Sequence, residues 1–519
     1  MPLNKRSIFL IAVSLLVSMP VFSQENQIIH LNNHVYRYVK LLQQRGHLAE
    51  LNPTKLPYTR GEVIESLRTM EKDGLGSSER FWVDIIEEEI GYDNSENKND
   101  FYLHGMFEPS IDMNNTISKE GIRPQSNKAY FLPYATLRFY MEKSGLAAQL
   151  GGSHNLFHYY DRRGETAQSR IYLRSEDFYV GYRNSFISVY AGRYKHLWAP
   201  HNETSVLLGT NAHSFNNLDI TLGNDRFKVT GFFGELENIS ENGSFDGFGA
   251  RDGIQRYLAL HRIDVKITEK LRIGYFDGFL YSGKNVSPRL NYLVPTNFFH
   301  FERANNPDDD QFNYFFGGFI WGQYGKITTN FQLMLDDIVI NNPDPAIVEK
   351  PTFAITHSIY AAALFENIDL GYESEFISYQ TYNTDQAEGR HLYLNRGIAN
   401  QFTDYIFFKT YLNIHAHQWV RGLTVSPSIQ YLLQGEQEIN QTFVGTFEPI
   451  DIILTGTEEK TSRFELATFY NPVPWFWLDS RLGYNYTNDI NHISGNTESR
   501  FTYRFELGFR FKLDGYSDK

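Results

Sequence analysis

Phe501-Thr502-Tyr503-Arg504-Phe505-Glu506-Leu507-Gly508-Phe509-Arg510-Phe511-Lys512-Leu513 decides the fold of this 519-residue chain. Every odd position is apolar or aromatic, and every even position is polar or glycine. Side chains alternate between the two faces of a β-strand, so one face of this segment suits an apolar medium and the other suits water. Ile327 to Asp336 repeats the alternation, and so does Phe131 to Glu142. These runs of roughly 10 to 13 residues exceed the 5 to 6 usual in soluble proteins. They match what a tilted strand needs to cross a bilayer.

Connections between such runs alternate in length. Short turns fall near Lys143-Ser144-Gly145, Asn184-Ser185, Asn224-Asp225, Glu269-Lys270, Gly322 to Gly325, Asn367, His417 to Gly422 and Pro472 to Pro474. Long polar loops lie between them, at about 114–128, 153–169, 196–215, 238–254, 283–310, 338–352, 381–401, 435–460 and 488–499. Eight turns and nine loops join 18 strands. An even count, with short turns opposite long loops, is the signature of an outer-membrane barrel. Trp321, Trp419, Trp475 and Trp477 all fall at or beside short turns, where an interfacial aromatic girdle is expected. The reading is therefore mainly β: a transmembrane antiparallel barrel of about 18 strands over residues 99–519. A soluble propeller would explain neither strand length nor loop alternation.

Upstream, the period is helical. Val35, Tyr38, Leu41 and Leu42 form one stripe within a helix predicted over Gln27 to Arg45, with Gly46 at its C-terminal cap. Thr59-Arg60-Gly61-Glu62 fits a capping box. Ser77 or Ser78 is expected to cap a third helix carrying Phe81, Trp82, Ile85, Ile86 and Ile90. Residues 24–98 thus read as a small N-terminal α-helical bundle. An even strand count leaves both barrel ends on the short-turn side, which places this bundle in the periplasm, beneath or inside the barrel mouth, and the long loops outside the cell. Residues 1–23, with Lys5 and Arg6 ahead of the apolar Ile8 to Val17, read as a secretory signal peptide. No later apolar run is long enough for a transmembrane helix.

Composition narrows the function. The chain has no cysteine, which excludes disulfides, thiolate metal sites and thiol nucleophiles. Its net charge of −13, about −15 once Lys5 and Arg6 are gone, argues against nucleic acid as a partner. There is no phosphate-binding glycine loop, His-Glu-x-x-His or Gly-x-Ser-x-Gly. Asp308-Asp309-Asp310 reads as a solvated loop tip in preference to a calcium site. Asp336 and Asp337 point to opposite faces. His415 and His417 share a face, and a lumen or girdle role outweighs a metal pair. No cofactor is expected. The loops are rich in Asn, Tyr, Trp and Asp, which suit sugar hydroxyls and pyranose faces. Arg193-Tyr194-Lys195-His196-Leu197-Trp198 sets cations beside aromatics and could hold a carboxylated sugar. Arg193, Lys195, Trp198, His201 and Asn211 are the candidate ligand-binding residues.

Three stretches resemble the capsule assembly protein Wzi family. One runs from Ala191-Gly192-Arg193 through Trp198-Ala199-Pro200 to Leu207-Leu208-Gly209-Thr210-Asn211-Ala212, and is similar to the family's Trp-Gly-Pro block followed by a Ser-Asn-Ala segment. Another is His261 to Val265 with Leu271 to Gly274, and the third runs from Asn291-Tyr292-Leu293-Val294-Pro295 to Leu335-Asp336-Asp337. Tyr36 to Gly46 followed by Thr59 to Glu62 resembles the family's helical start. Ala199 stands where the family has Gly, and Gly209-Thr210 where it has Ser. The resemblance implies an 18-stranded outer-membrane barrel with a periplasmic helical bundle. It also implies lectin-like binding of capsular polysaccharide at the cell surface and no enzymatic activity. The expected function is binding of capsular or related surface polysaccharide and help in its assembly or attachment. The expected partners are that polysaccharide and outer-membrane lipid, and the expected state is a monomer. A porin-like diffusion channel is the alternative; an outer-membrane enzyme acting on lipid or glycan ranks third, because no Ser–His or Asp–His constellation is visible.

Overall fold

The alternation is realised as two chemically opposite surfaces. Phe501 is 57% exposed on the outside while Thr502 beside it is 1% exposed inside, and Ile327 (49%) and Gln332 (1%) follow the same rule. An outer belt of exposed Leu, Ile and Phe would cost about 1.5–3 kcal/mol per side chain in water, so this wall is built to face lipid. A computed structural model describes residues 26–91, 101–118, 120–143, 145–164, 169–240, 253–284, 286–297, 299, 312–336, 352–384, 386–441 and 452–516. The expected signal peptide, the Asp308 to Asp310 triplet and Asp337 lie outside them.

Eighteen antiparallel strands each pair with the next. They are β1 (Phe101–Asn114), β2 (Tyr130–Lys143), β3 (Leu146–Asn155), β4 (Phe178–Arg183), β5 (Ile187–Arg193), β6 (Asn216–Gly223), β7 (Phe227–Glu235), β8 (Gln255–Thr268) and β9 (Leu271–Gly283). Then come β10 (Phe312–Tyr324), β11 (Ile327–Leu335), β12 (Phe353–Phe365), β13 (Ile368–Ile377), β14 (Tyr405–His415), β15 (Leu423–Gln434), β16 (Glu459–Val473), β17 (Phe476–Asn488) and β18. The last runs over Thr497–Phe509 and, past Arg510, Phe511–Tyr516. The sheet closes on itself: Ser110 of β1 faces Gly508 of β18, and Phe107 faces Phe511. Closure leaves no free edge, which a membrane wall requires.

Three helices, α1 (Val35–Gln44), α2 (Arg60–Thr69) and α3 (Ser77–Ile90), fill the short-turn mouth. The first starts eight residues later than its pattern predicts. The Asn33 side chain accepts the Val35 N–H (2.9 Å), and the preceding residues are extended, with Ile28 bridging Thr59. The Thr59–Glu62 capping box forms as expected, with Glu62 N donating to Thr59 Oγ1 (3.3 Å) and Thr59 N to Glu62 Oε2 (2.8 Å). The third helix is capped by Gly76, not by a serine; its N–H donates to Glu79 Oε2 (2.6 Å). Polar bonds moor the bundle to the inner wall. Arg262 of β8 donates to Thr54 O (2.8 Å) and Asp264 (2.7 Å), and Arg45 pairs with Asp369 (2.6 Å). Lys55 donates to Thr221 (2.6 Å), and Arg510 pairs with Glu89 (2.6 Å).

The tryptophan girdle is smaller than the sequence suggests. Trp419 (79%) and Trp475 (53%) are exposed at the short-turn rim, but Trp321 and Trp477 point inward. Trp477 packs on His34 of the bundle, 4.8 Å between ring centres, because its position in β17 pairs with inward Gly508. Residues 286–297 and Phe299 cover the outer face of β8 and β9. Phe299 stacks on outward-facing His261 (4.1 Å), and its N–H donates to Asp277 (3.0 Å). Both polar side chains are thereby fully buried on a wall that otherwise faces lipid.

Candidate functional site

The lumen is closed above the bundle by two infolded loops. Residues 194–215 contain Val206-Leu207-Leu208, an apolar run with no favourable place on a wet surface, and all three are at most 2% exposed. This loop joins the bundle through paired Leu56 and Leu197 backbones (2.8 and 3.0 Å). It joins the second loop, residues 378–404, where Gly209 N donates to Ile398 O (2.9 Å). A Cβ at Gly209 would stand 2.4 Å from Ala399 O, so that approach requires glycine. The second loop carries a small hairpin, Leu392–Tyr393 with Arg396–Gly397. Arg256 of β8 holds it by donating to the carbonyls of Glu388 (2.9 Å), Arg390 and Leu392 (3.1 Å).

The residues singled out in the sequence lie along this closure. Arg193 donates to Asn216 (2.9 Å) and Ser175 O (3.3 Å) at the end of β5. Lys195 donates to Thr210 O (3.2 Å), and burial pulls its ammonium below the usual lysine range despite nearby Glu176. Trp198 is 2% exposed, packed against Phe232 with Arg262 over its ring at 5.3 Å, so neither face is open to a sugar. His201 stacks on Tyr36 of α1 (5.4 Å), and burial lowers it to about 3, leaving it neutral. Asn211 donates to Gln401 (2.8 Å) and Gly397 O (3.0 Å) and accepts from Arg396 (3.0 Å). Lys195 and Asn211 share a small internal pocket, and His201 and Asn211 line a 540 Å³ cavity between bundle and loops. Arg193 and Trp198 line neither.

The open space lies elsewhere. A vestibule of 900 Å³ opens at the long-loop end and is built from five loops and the adjoining strand ends. Its walls carry Arg162, Gln437, Asn440, Asn491, His492 and Arg500. Its floor is Ile122, Arg123, Gln401 and Phe402, which also roof the inner cavity. The floor is fixed from below: Arg463 of β16 and Asn485 of β17 donate to Gly121 O (3.0 and 2.9 Å). A Cβ on Gly121 would collide with Arg463 Nη2 at 2.4 Å. Two guanidinium groups share the Phe402 ring, Arg123 at 3.6 Å and Arg163 at 4.9 Å from its centre. Arg123 is 5% exposed, and among the described residues neither of its Nη atoms has a hydrogen-bond partner. Burial, with Arg163 beside it, lowers Arg123 to about 9, so it stays cationic at neutral pH. Arg500 by contrast is paired with Glu498 (2.8 Å).

Planar guanidinium and amide groups around one aromatic ring provide donors for hydroxyl and carboxylate oxygens and an apolar face for a sugar ring. Among the described residues lining the vestibule, Thr403 and His492 are bonded to backbone carbonyls and Thr461 to Thr487. Among the described residues no three His, Cys, Asp or Glu side chains gather as metal ligands. His415 is bonded to Asp369 (2.7 Å), and His417 accepts the Trp82 indole N–H (3.0 Å), so this pair moors the bundle. Sequence reasoning missed the vestibule. Its only local signals were Arg162-Arg163 and the asparagine-dense run from Asn485 to Asn496; its floor joins Arg123 to residues hundreds of positions away.

Comparison with solved structures finds Escherichia coli Wzi, described as an outer-membrane protein involved in group 1 capsule assembly and a carbohydrate-binding β-barrel. It is 13% identical, with a TM-score of 0.64 covering 94% of this chain and 100% of that one. Acinetobacter baumannii OccAB1 (12% identity, TM-score 0.47, covering 81% and 99%) also aligns. So does Pseudomonas aeruginosa OccK11 (11%, 0.45, covering 80% and 96%). The first of these likenesses shows the fold. No curated protein sequence matches the chain. The profile of the capsule assembly protein Wzi family matches residues 91–395, more than half of the chain and the whole of the segments in which the sequence resemblance was strongest. By that match the chain belongs to the capsule assembly protein Wzi family.

Proposed function

We propose that this protein is an outer-membrane barrel that binds capsular or related surface polysaccharide in the vestibule and helps assemble or attach it at the cell surface. The observation that carries this reading is a polar, floored vestibule of 900 Å³ above a lumen blocked twice, by the infolded loops and by the helical bundle. Such a shape suits retention of a polymer better than passage of solutes. Family membership and the carbohydrate binding described for Escherichia coli Wzi support it. In this reading the long loops face outward and the bundle faces the periplasm. The protein works as a monomer in outer-membrane lipid, acts by binding and not catalysis, and has no nucleic-acid partner. Glycan contacts fall chiefly to the vestibule. Among the residues first singled out, Lys195, His201 and Asn211 contribute through the internal cavities, while Arg193 and Trp198 support the loop that closes the lumen.

Deletion of the gene tests the proposal. Cell-bound polysaccharide should fall and the same polymer should appear in the medium. If the bound layer is unchanged and nothing is shed, the proposal fails.

A further inference from the structure

An acidic barrel repels acidic polymers at long range, yet its vestibule floor holds two cations without an ion-pair partner among the described residues. Glu120 and Glu459 act on Arg123, and Glu120, Glu438 and Asp161 on Arg163, from beyond ion-pairing distance. Four arginines line this vestibule against three glutamates, and one of those, Glu498, is already committed to Arg500. Glu459 is likewise engaged by the Asn491 N–H (2.8 Å). Arg123 and Arg163 sit on one phenylalanine ring, and among the described residues no carboxylate comes within ion-pairing distance of either guanidinium. The Arg163 backbone N–H donates to Asp161 (3.1 Å), while its guanidinium donates, among the described residues, to the Arg123 carbonyl (3.4 Å). A buried guanidinium with both Nη groups unbonded is a costly arrangement, because each donor has left water without gaining a hydrogen bond. A second cation beside it adds repulsion.

One ligand removes both costs. The two Nη donors of a guanidinium match the two oxygens of a carboxylate in a bidentate pair. We propose that Arg123, with Arg163 beside it, anchors the carboxylate of a uronic-acid-type residue in the bound glycan. This assignment rests on the vestibule being the glycan site. Phe402 holds the two guanidinium planes in place by cation–π contact and so preorganises the anchor. The amide side chains of Gln401, Gln437 and Asn440 lie where they can take the neighbouring hydroxyls. The protein's overall negative charge then acts as a filter: an acidic polymer is held where its carboxylate meets this floor and repelled elsewhere.

The test uses the full-length protein in detergent and surface polysaccharide extracted from the cells that make it, before and after carbodiimide–borohydride reduction of its carboxyl groups. Wild type should bind the native polymer about tenfold or more tightly than the reduced one. Arg123→Gln should lose that difference while keeping its affinity for the reduced polymer. Arg123→Lys, which keeps the charge but not the fork, should recover only part of it. Heat-modifiable migration on gels reports whether each variant holds a closed barrel, and Arg163→Gln, at a half-buried position, replaces Arg123→Gln if the latter does not fold. Equal binding of native and reduced polymer by wild type overturns the carboxylate anchor and leaves the glycan reading standing. A native preference that survives both glutamine variants overturns the assignment to these arginines. Binding of neither polymer overturns the glycan reading and the anchor together.

Discussion

Arg262 shows how much one inward side chain can carry. It is 1% exposed and donates to Asp264 on its own strand and to Thr54 of the bundle, and it lies 4.1 Å from the centre of the Phe319 ring and 5.3 Å from that of Trp198. Wall, bundle and infolded loop therefore meet at one guanidinium. Replacing it with glutamine leaves buried Asp264 without its ion-pair partner, while the Asn52 amide (2.8 Å) still donates to it. Breaking a buried pair outright costs about 3–5 kcal/mol, which is the upper bound here. Arg262→Gln should lower the midpoint of bundle unfolding, followed by Trp82 and Trp198 fluorescence in urea. Arg262→Gln combined with Asp264→Asn should recover part of the loss, since the carboxylate no longer needs a cation. Additive losses in the double variant would show that the two side chains are not coupled. The residue type was legible as part of an alternating strand, but its role was not. Trp198 shows the opposite limit: aromatic and close to cations in the chain, it looks like a sugar platform in sequence, and its burial comes from Phe232 and Arg262 on strands that sequence does not place beside it.

Elements were legible where their signal is local. Strands follow from a period of two, which holds along each chain segment whatever it pairs with. Turns follow from short polar breaks, and the α2 start follows from Thr59 and Glu62 three residues apart. Thr59→Ala removes one half of that box and should cost the bundle about 1 kcal/mol, read as a lower urea midpoint with the barrel transition unmoved. The infolded loops were not legible, because Val206-Leu207-Leu208 is too short to show a period and its partners come from 378–404. These loops also carry the pH response. Burial holds His196 and His213 at about 4 and His201 and His391 at about 3. His213 makes the point structurally: its Nδ1 faces Glu176 at 2.7 Å and must carry the proton of a neutral ring. An unfolded histidine titrates near 6.5. Each of these four is neutral in the fold, so its stabilisation is intact above about pH 6.5 and is lost as the pH falls from there towards 4. The loss is about 1.4 kcal/mol per histidine per pH unit while only the unfolded state takes up the proton. Limited proteolysis within 194–215 and 378–404 should accelerate over that window. His391→Phe should shift the acceleration to lower pH, because the ring already stacks on Tyr382 and neither nitrogen has a hydrogen-bond partner. Cleavage rates flat from pH 7 to 4 would contradict this account.

At the scale of the whole molecule, the question is whether 18 strands make a pore. A ring of that size has room for water, so conduction depends on what fills it. Two layers do, and among the described residues they meet through Leu56 with Leu197, through His201 stacked on Tyr36 of α1 (5.4 Å), and through Lys40 of α1, which pairs with Glu203 (2.8 Å) and donates to His201 O (2.9 Å). Each layer also has its own moorings to the wall, Arg256 for the loops and Arg45, Lys55 and Glu89 for the bundle. Removing one layer should therefore leave the other in place. In planar bilayers the intact protein should give no large steady conductance. Deleting residues 388–399, which removes the hairpin held by Arg256, should add only brief openings, because the bundle still closes the short-turn mouth. Deleting the same segment together with residues 26–91 should give a large, steady pore with the barrel still heat-modifiable on gels. A large steady conductance from the intact protein would mean that the two layers do not seal, and would restore the diffusion-channel reading. A silent double deletion with a folded barrel would mean that the wall itself, or a third segment, closes the lumen.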